Sequence, residues 1–294
     1  MQAQDRTRTA AAVVFDSSLD GIAHVLALAM AVGLHSKQEI RLTSLSIGRN
    51  NLKVASFADL ISRFYGPSLS IGMSEKGTAE TSVLPMMTTV LSKQTSEGKP
   101  TYARTVERFI DTADPLALIR NALTAQQDQN TVVVLAGSPL NLLGLLALPN
   151  SRQLIQQKVR TLVIAGGPDP KLHLPDSKLI DEWPSPIVVV GDEVGQGAPF
   201  PATSIEQDFA WATNHPLVDA YRAAGTMPYD VASTAMAALL YAAHPNQNYF
   251  AVSGTGKQQK LALDSMQKDH VIQAYRQVLS AKPPEPRRGR GGNE

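Results

Sequence analysis

Short, nearly continuous apolar runs recur along the chain, each followed by a polar or glycine-rich break. Ala10–Phe15 ends in Asp16, Thr131–Ala136 ends in Gly137, Val159–Ala165 ends in Gly166-Gly167, and Ile187–Val190 ends in Gly191. Runs of four to seven residues, rich in Val and Ile, predict strands buried on both faces. Ile40–Ile47 alternates as a further strand, and Asn248–Ser253 lies near the end of the fold. Between them the apolar period lengthens to that of helices. Ile22–Leu34 is rich in Ala and Leu. Val54, Phe57, Leu60, Ile61 and Phe64 share one stripe of a helix capped by Asn50 or Asn51 and stopped at Tyr65-Gly66-Pro67. Further helices are predicted over Asp114–Gln126, with Asp114 as cap and Pro115 in the first turn, over Leu140–Leu148, over Val231–Ala243 and near His270–Ser280.

Strands alternating with helices predict one α/β domain, a mainly parallel sheet flanked by helices. The domain spans residues 10–281, between a polar N-terminus, 1–9, and a Pro/Gly/Arg-rich tail, 282–294, both expected to be disordered. Ligands of such sheets sit beyond the carboxyl ends of the strands. The segments to inspect are therefore Asp16–Gly21, Gly137–Asn141, Gly166–Pro170 and Gly191–Gly195.

Composition narrows this picture. In 294 residues, 43% are hydrophobic and 18% charged, which suits a folded domain with a large core. A net charge of +1 gives no electrostatic drive toward nucleic acid or an anionic membrane. The absence of cysteine excludes disulfides, thiolate metal sites and a cysteine nucleophile. No apolar run is long enough to span a bilayer, and the first residues lack a signal-peptide pattern. The default expectation is a cytoplasmic protein, with an exported, processed form and a homo-oligomer left open. Two tempting motifs fail. Gly254-Thr255-Gly256-Lys257 has Ala251 and Gln258 where a phosphate loop needs Gly and Ser or Thr, and reads as a hairpin turn. No G-x-G-x-x-G follows the first strand, so no dinucleotide fingerprint is present.

The first strand end is the informative place. Asp16-Ser17-Ser18-Leu19-Asp20-Gly21-Ile22-Ala23-His24-Val25-Leu26-Ala27-Leu28 resembles the opening signature of the inosine/uridine-preferring nucleoside hydrolases, a strand ending in D-T-D-x-G and an aspartate pair entering an A-L-A-L helix. Asn51–Gly72 is similar to that family's second helix and the loop after it. Val132–Leu146 resembles its G-P-L-T-N-L-A segment, with Asn141 kept. Glu182–Gly195 resembles its W-P-x-P-I-V stretch. Tyr229-Asp230 stands at its His-Asp or Trp-Asp pair, and Tyr249-Phe250 with Gly256 matches its closing hairpin. The resemblance covers about 250 residues.

The resemblance implies hydrolysis of the N-glycosidic bond of ribonucleosides around a calcium ion, with a nucleoside or sugar as the small-molecule partner. It places Ser18 at the base-and-ligand aspartate, Ala23 and His24 at the aspartate pair, Leu140 at the threonine whose carbonyl binds the ion, and Asp230 at the late ligand. Asp16 keeps the first aspartate. With most of the carboxylates missing, the expectation is no bound cofactor or calcium and hydrolysis that is weak or lost, or alternatively a non-catalytic pseudoenzyme that binds a nucleoside or ribose or serves regulation. Asp16 and Asp20 are the carboxylates that could replace the missing base. Asn141, Glu193 and Asp230 are the expected substrate contacts. Each has a plainer reading: Asp16 as a loop anchor, His24 as a satisfied buried imidazole, Asn141 and Asp230 as helix caps, Glu193 as a loop residue, and Trp183 and Trp211 as core.

Overall fold

The computed structural model describes residues 10–66, 68–74, 82–166 and 174–283. The expected disordered N-terminus, most of the expected tail and the Gly167–Pro170 strand end lie outside these residues. The fold is a single α/β domain built on an eight-stranded sheet in the order β3-β2-β1-β4-β5-β6-β8-β7. The strands are β1 (Ala11–Ser17), β2 (Ile40–Ile47), β3 (Ile71–Met73), β4 (Thr131–Ala136), β5 (Val159–Ala165), β6 (Ile187–Val190), β7 (Ala251–Ser253) and β8 (Gln258–Ala262). All neighbours pair in parallel except β7 with β8. That antiparallel pair closes through Gly254-Thr255-Gly256-Lys257, the hairpin turn expected from sequence, in which Gly254 and Gly256 have φ of +98° and +87°.

Twelve α-helices among the described residues surround the sheet. They are α1 (Ile22–Ser36), α2 (Leu52–Tyr65), α3 (Pro85–Ser92), α4 (Pro115–Thr124), α5 (Leu140–Ala147), α6 (Ser151–Lys158), α7 (Leu174–Glu182), α8 (Asp192–Gly197), α9 (Ala202–Gln207), α10 (Pro216–Ala224), α11 (Thr234–Ala243) and α12 (Lys268–Leu279). The two-residue period of β1 sorts them into layers. Val13 and Phe15 enter the large core with α1, α2, α10, α11 and α12. Val14 enters the smaller core with Ile119 and Leu123 of α4, Leu142 and Leu145 of α5 and Ile155 of α6. Helix α1 is buried continuously from Val25 to Leu34, between α2, α10, α11 and α12, which is why its sequence is apolar all round rather than striped. Trp183 is core, as expected, with its indole N–H donating to Ser185 Oγ at 2.8 Å.

Three expectations about helix ends are corrected. Asp230 does not cap a helix starting at Val231. Val231 pairs with Phe200 in an isolated bridge, the helix begins at Thr234 after Ser233, and the Asp230 carboxylate accepts from Ala202 N at the start of α9. Asn141 does not cap α5, whose N-cap is Pro139. Glu193 is not a loop residue but sits in the first turn of α8.

One buried polar residue stands out in the large core. His215 is 3% exposed and surrounded by the rings of Phe64, Phe209, Trp211 and Tyr65, at 4.4, 4.7, 5.5 and 5.6 Å. Neither ring nitrogen has a hydrogen-bond partner. Burial in this apolar cage drives its pKa down from 6.5 to about 3, against a small upward pull from Asp219. The unfolded chain therefore binds more protons than the folded one between about pH 3 and 6.5, and stability rises with pH across that window. His215→Leu should flatten this acid limb, so that the variant gains on the wild type by about 3–5 kcal/mol as pH falls from 7 toward 3. Thermal melts across pH check this; parallel acid limbs in both proteins would contradict it.

Candidate functional site

The parallel strands deliver their carboxyl ends to one edge of the sheet, and the site grows from the last two residues of β1. Asp16 follows Val14 by two and so faces the α4–α5 layer. Its register partners are Ser46 in β2 and Leu135 in β4. The Asp16 carboxyl is fully buried. Its Oδ1 accepts from Ser46 Oγ at 2.8 Å and from Asn141 Nδ2 at 2.9 Å. Its Oδ2 is buried with no partner. Burial raises the Asp16 pKa from 3.8 to about 6, and the two hydrogen bonds pull it partly back. Asp16 and Asn141, 125 residues apart, thus meet directly at the β1–β4 ends.

The next turn is held by a different set. Ser18 is buried, and its hydroxyl accepts from Ser138 N at 2.6 Å. Gly137, at φ +116°, lets the backbones approach this closely, because a Cβ there would lie 2.4 Å from Ser18 Oγ. Leu19 follows at φ +50°, an unusual conformation for a branched residue. The Asp20 amide donates to His24 Nδ1 at 3.2 Å, which puts the ring proton on Nε2. Burial keeps His24 below its ordinary pKa, with Asp20 pulling it up and Arg49 pushing it down.

Arg49, which sequence reasoning did not single out, lies two residues beyond β2 and is buried beneath this turn. Its Nε donates to Ser18 O at 2.9 Å and to Asp20 Oδ1 at 3.0 Å, and its Nη2 also reaches Asp20 Oδ1. Its Nη1 donates to Ser82 O and Oγ at 3.1 and 2.7 Å. Asp20 is therefore an ion-pair partner, half exposed, rather than an isolated carboxylate. The signal available in sequence was a Gly-Arg-Asn directly after a strand, at the edge where ligands bind.

Glu193 and Asp230 form no hydrogen bond with the Asp16–Asn141 pair. Glu193 follows β6, three strands across from β1, or roughly 14 Å at the usual strand spacing. Its carboxylate folds back over Gly191, and it lines an open cavity of about 380 Å³ with Leu261, Leu263, Ser265 and Lys268. Asp230 is exposed and bonded to Ala202 N. The side chain of Leu140 is 38% exposed, on the first turn of α5.

Solved structures resemble this architecture. The chain has the nucleoside hydrolase fold. A purine-preferring ribonucleoside hydrolase from Gardnerella vaginalis superposes with a TM-score of 0.67 at 14% identity, covering 92% of this chain and 98% of that one. An inosine-uridine preferring nucleoside hydrolase from Bacillus anthracis gives 0.61 at 12% identity, over 92% and 99%. The type III effector protein XopQ, solved with adenosine diphosphate ribose, gives 0.64 at 13% identity, over 94% of each chain. No family model matches the sequence, and no curated protein matches it.

The calcium implied by the sequence resemblance does not fit the residues present. Calcium takes six to eight oxygen ligands, several of them carboxylates. Among the described residues no three His, Cys, Asp or Glu side chains converge. Ser18 Oγ accepts from Ser138 N, the Nδ1 lone pair of His24 from Asp20 N, and Asp20 Oδ1 from Arg49.

The raised pKa of Asp16 has a measurable sign. A carboxyl that ionises near 6 when folded and near 3.8 when unfolded costs stability above about pH 6, and that cost fades as pH falls through the folded pKa toward 3.8. Asp16→Asn keeps an acceptor for Ser46 and Asn141 and removes the buried charge. It should stabilise the protein by about 2–3 kcal/mol at pH 8 and not at pH 4. Melts at both pH values test this, and a variant that melts below the wild type at pH 8 would refute it.

Proposed function

We propose that this chain binds a ribonucleoside or a related ribosyl compound at the carboxyl edge of its sheet, with Asp16 as the central polar contact and Asn141 beside it. N-glycosidic hydrolysis is weak or lost. The observation that carries the reading is the unpartnered Oδ2 of Asp16. A buried carboxylate oxygen costs free energy unless something donates to it, and ligand groups are a recurring reason for such exceptions. A sugar hydroxyl is a suitable donor, and it reaches Oδ2 once the side chains that cover this atom move aside. The neighbours with this fold, named as hydrolases of nucleosides or solved with adenosine diphosphate ribose, support that ligand class.

Chemistry argues for the loss of rate. Cleavage of a ribosyl bond needs an activated water on one face of the sugar. A Ser18 hydroxyl is neither ionised nor basic at neutral pH, and it is already an acceptor for Ser138 N. Asp20 is paired with Arg49. Asp16, with a pKa of about 6, is the group suited to take a proton near neutrality. Residual kcat/KM, which reports the free protein, should therefore rise with pH through about 6 and vanish in Asp16→Asn.

The test combines calorimetry with inosine, uridine and ribose and a turnover assay with a nitrophenyl riboside. The expected result is saturable binding by the wild type, lost in Asp16→Asn and weakened about tenfold in Asn141→Ala, consistent with one hydrogen bond to a charged group. Turnover should be about 10²–10⁴-fold below a hydrolase that keeps its general base. Rapid turnover in which Asp16→Asn has no effect, or no binding of any ribosyl compound, would overturn the reading.

A further inference from the structure

Arg49 is a buried cation placed among hard oxygens. Ser18 O, Asp20 Oδ1, Ser82 O and Ser82 Oγ, drawn from two separate loops, all lie within 3.1 Å of guanidinium nitrogens. Carbonyl, carboxylate and hydroxyl oxygens of this kind are what a divalent ion gathers from loops. Here they are spent on a planar fork of five N–H donors that cannot deprotonate. A second cation brought to the same oxygens would lose them as ligands and would face a like charge in a poorly solvated place.

The geometry points to Arg49 as the permanent cation of this site. It holds the Ser18–Gly21 turn and the Ser82 backbone in the way a bound ion would, so that the turn is shaped without metal. The ribosyl ligand beside it rests on the function proposed above, whereas the metal independence and the ordering of the turn do not. Among the described residues, the other titratable groups facing Arg49 fit this assignment. Asp20 is its counter-ion, and burial holds His24 below its ordinary pKa, a shift to which Arg49 adds. The neutral His24 ring receives the Asp20 amide and locks the far side of the same turn.

Hydrogen exchange at residues 18–21 and 82–84, read on the full chain with melting temperature alongside, tests the assignment. In the wild type neither millimolar calcium nor a chelator should change exchange or melting. Arg49→Ala should exchange at least about tenfold faster at those residues than the wild type does, with exchange in the β4 and β6 strands unchanged as the reference. Methylguanidinium added to that variant should slow exchange again. If Arg49→Ala does not fold, Arg49→Lys carries the test: it keeps the charge but loses the fork, and should show intermediate exchange that calcium leaves unchanged. Calcium-dependent protection of residues 18–21 in the wild type, or exchange in the variant as slow as in the wild type, would overturn the assignment. Nucleoside calorimetry on the same samples separates the two proposals, because failure to bind a ribosyl compound refutes the proposed function and leaves the Arg49 result standing.

Discussion

The hydrogen bonds from Ser46 and Asn141 to the buried Asp16 carboxyl tie together three elements that are remote in sequence. A carboxyl with no solvent contact must be neutral, paired or hydrogen-bonded, and this one has two donors on one oxygen and none on the other. That imbalance constrains its surroundings. Ser46 must stand in register beside Asp16, which the bulge between Val13 and Val14 in the β1–β2 ladder secures. Gly137 must turn with positive φ so that α5 starts close enough to present Asn141. The parallel order β2-β1-β4 puts both neighbours at the same edge.

Around that anchor the site divides its work. The Asp16 cluster leaves one acceptor atom unmatched, which suits recognition. The Arg49 cluster satisfies its polar groups internally, which suits shape. Ser18 links the two, following Asp16 by two residues, giving its carbonyl to Arg49 and its hydroxyl to the Ser138 amide at the start of the α5 turn. A hydrophobic core on each face of the sheet holds the strand ends in place. Stability lost by burying Asp16 and His215 is offset by that packing.

Much of this was legible in the residues. The Val/Ile runs marked β4, β5 and β6 to the residue because a strand buried on both faces has no reason to alternate. Asp16 was visible as the polar residue directly after such a run, and Asn141 through the segment that resembles G-P-L-T-N-L-A. The short edge strand β3 and the helices α3, α6, α7 and α10 were not, since three to nine residues carry too few periods to declare themselves. The start of α11 was misplaced because Val231 is drawn into a bridge with Phe200, a tertiary contact that no cap rule encodes. Arg49 was missed for a related reason. Its partners come from residues 18, 20 and 82, and only folding brings them together. Glu193 follows a strand as Asp16 does, and the strand order, which no local pattern encodes, sets the two three strands apart.

The central claim is that a single buried carboxyl, half satisfied, forms the heart of a ribosyl-binding site. The most direct measurement is a carbon-13 NMR titration of the Asp16 carboxyl, assigned with Asp16→Asn, in the presence and absence of a ribonucleoside. The account predicts ionisation at about 6 in the ligand-free protein and a clear fall when the nucleoside donates to the open oxygen. An ordinary carboxylate pKa near 3.8 that the nucleoside leaves unmoved would contradict it.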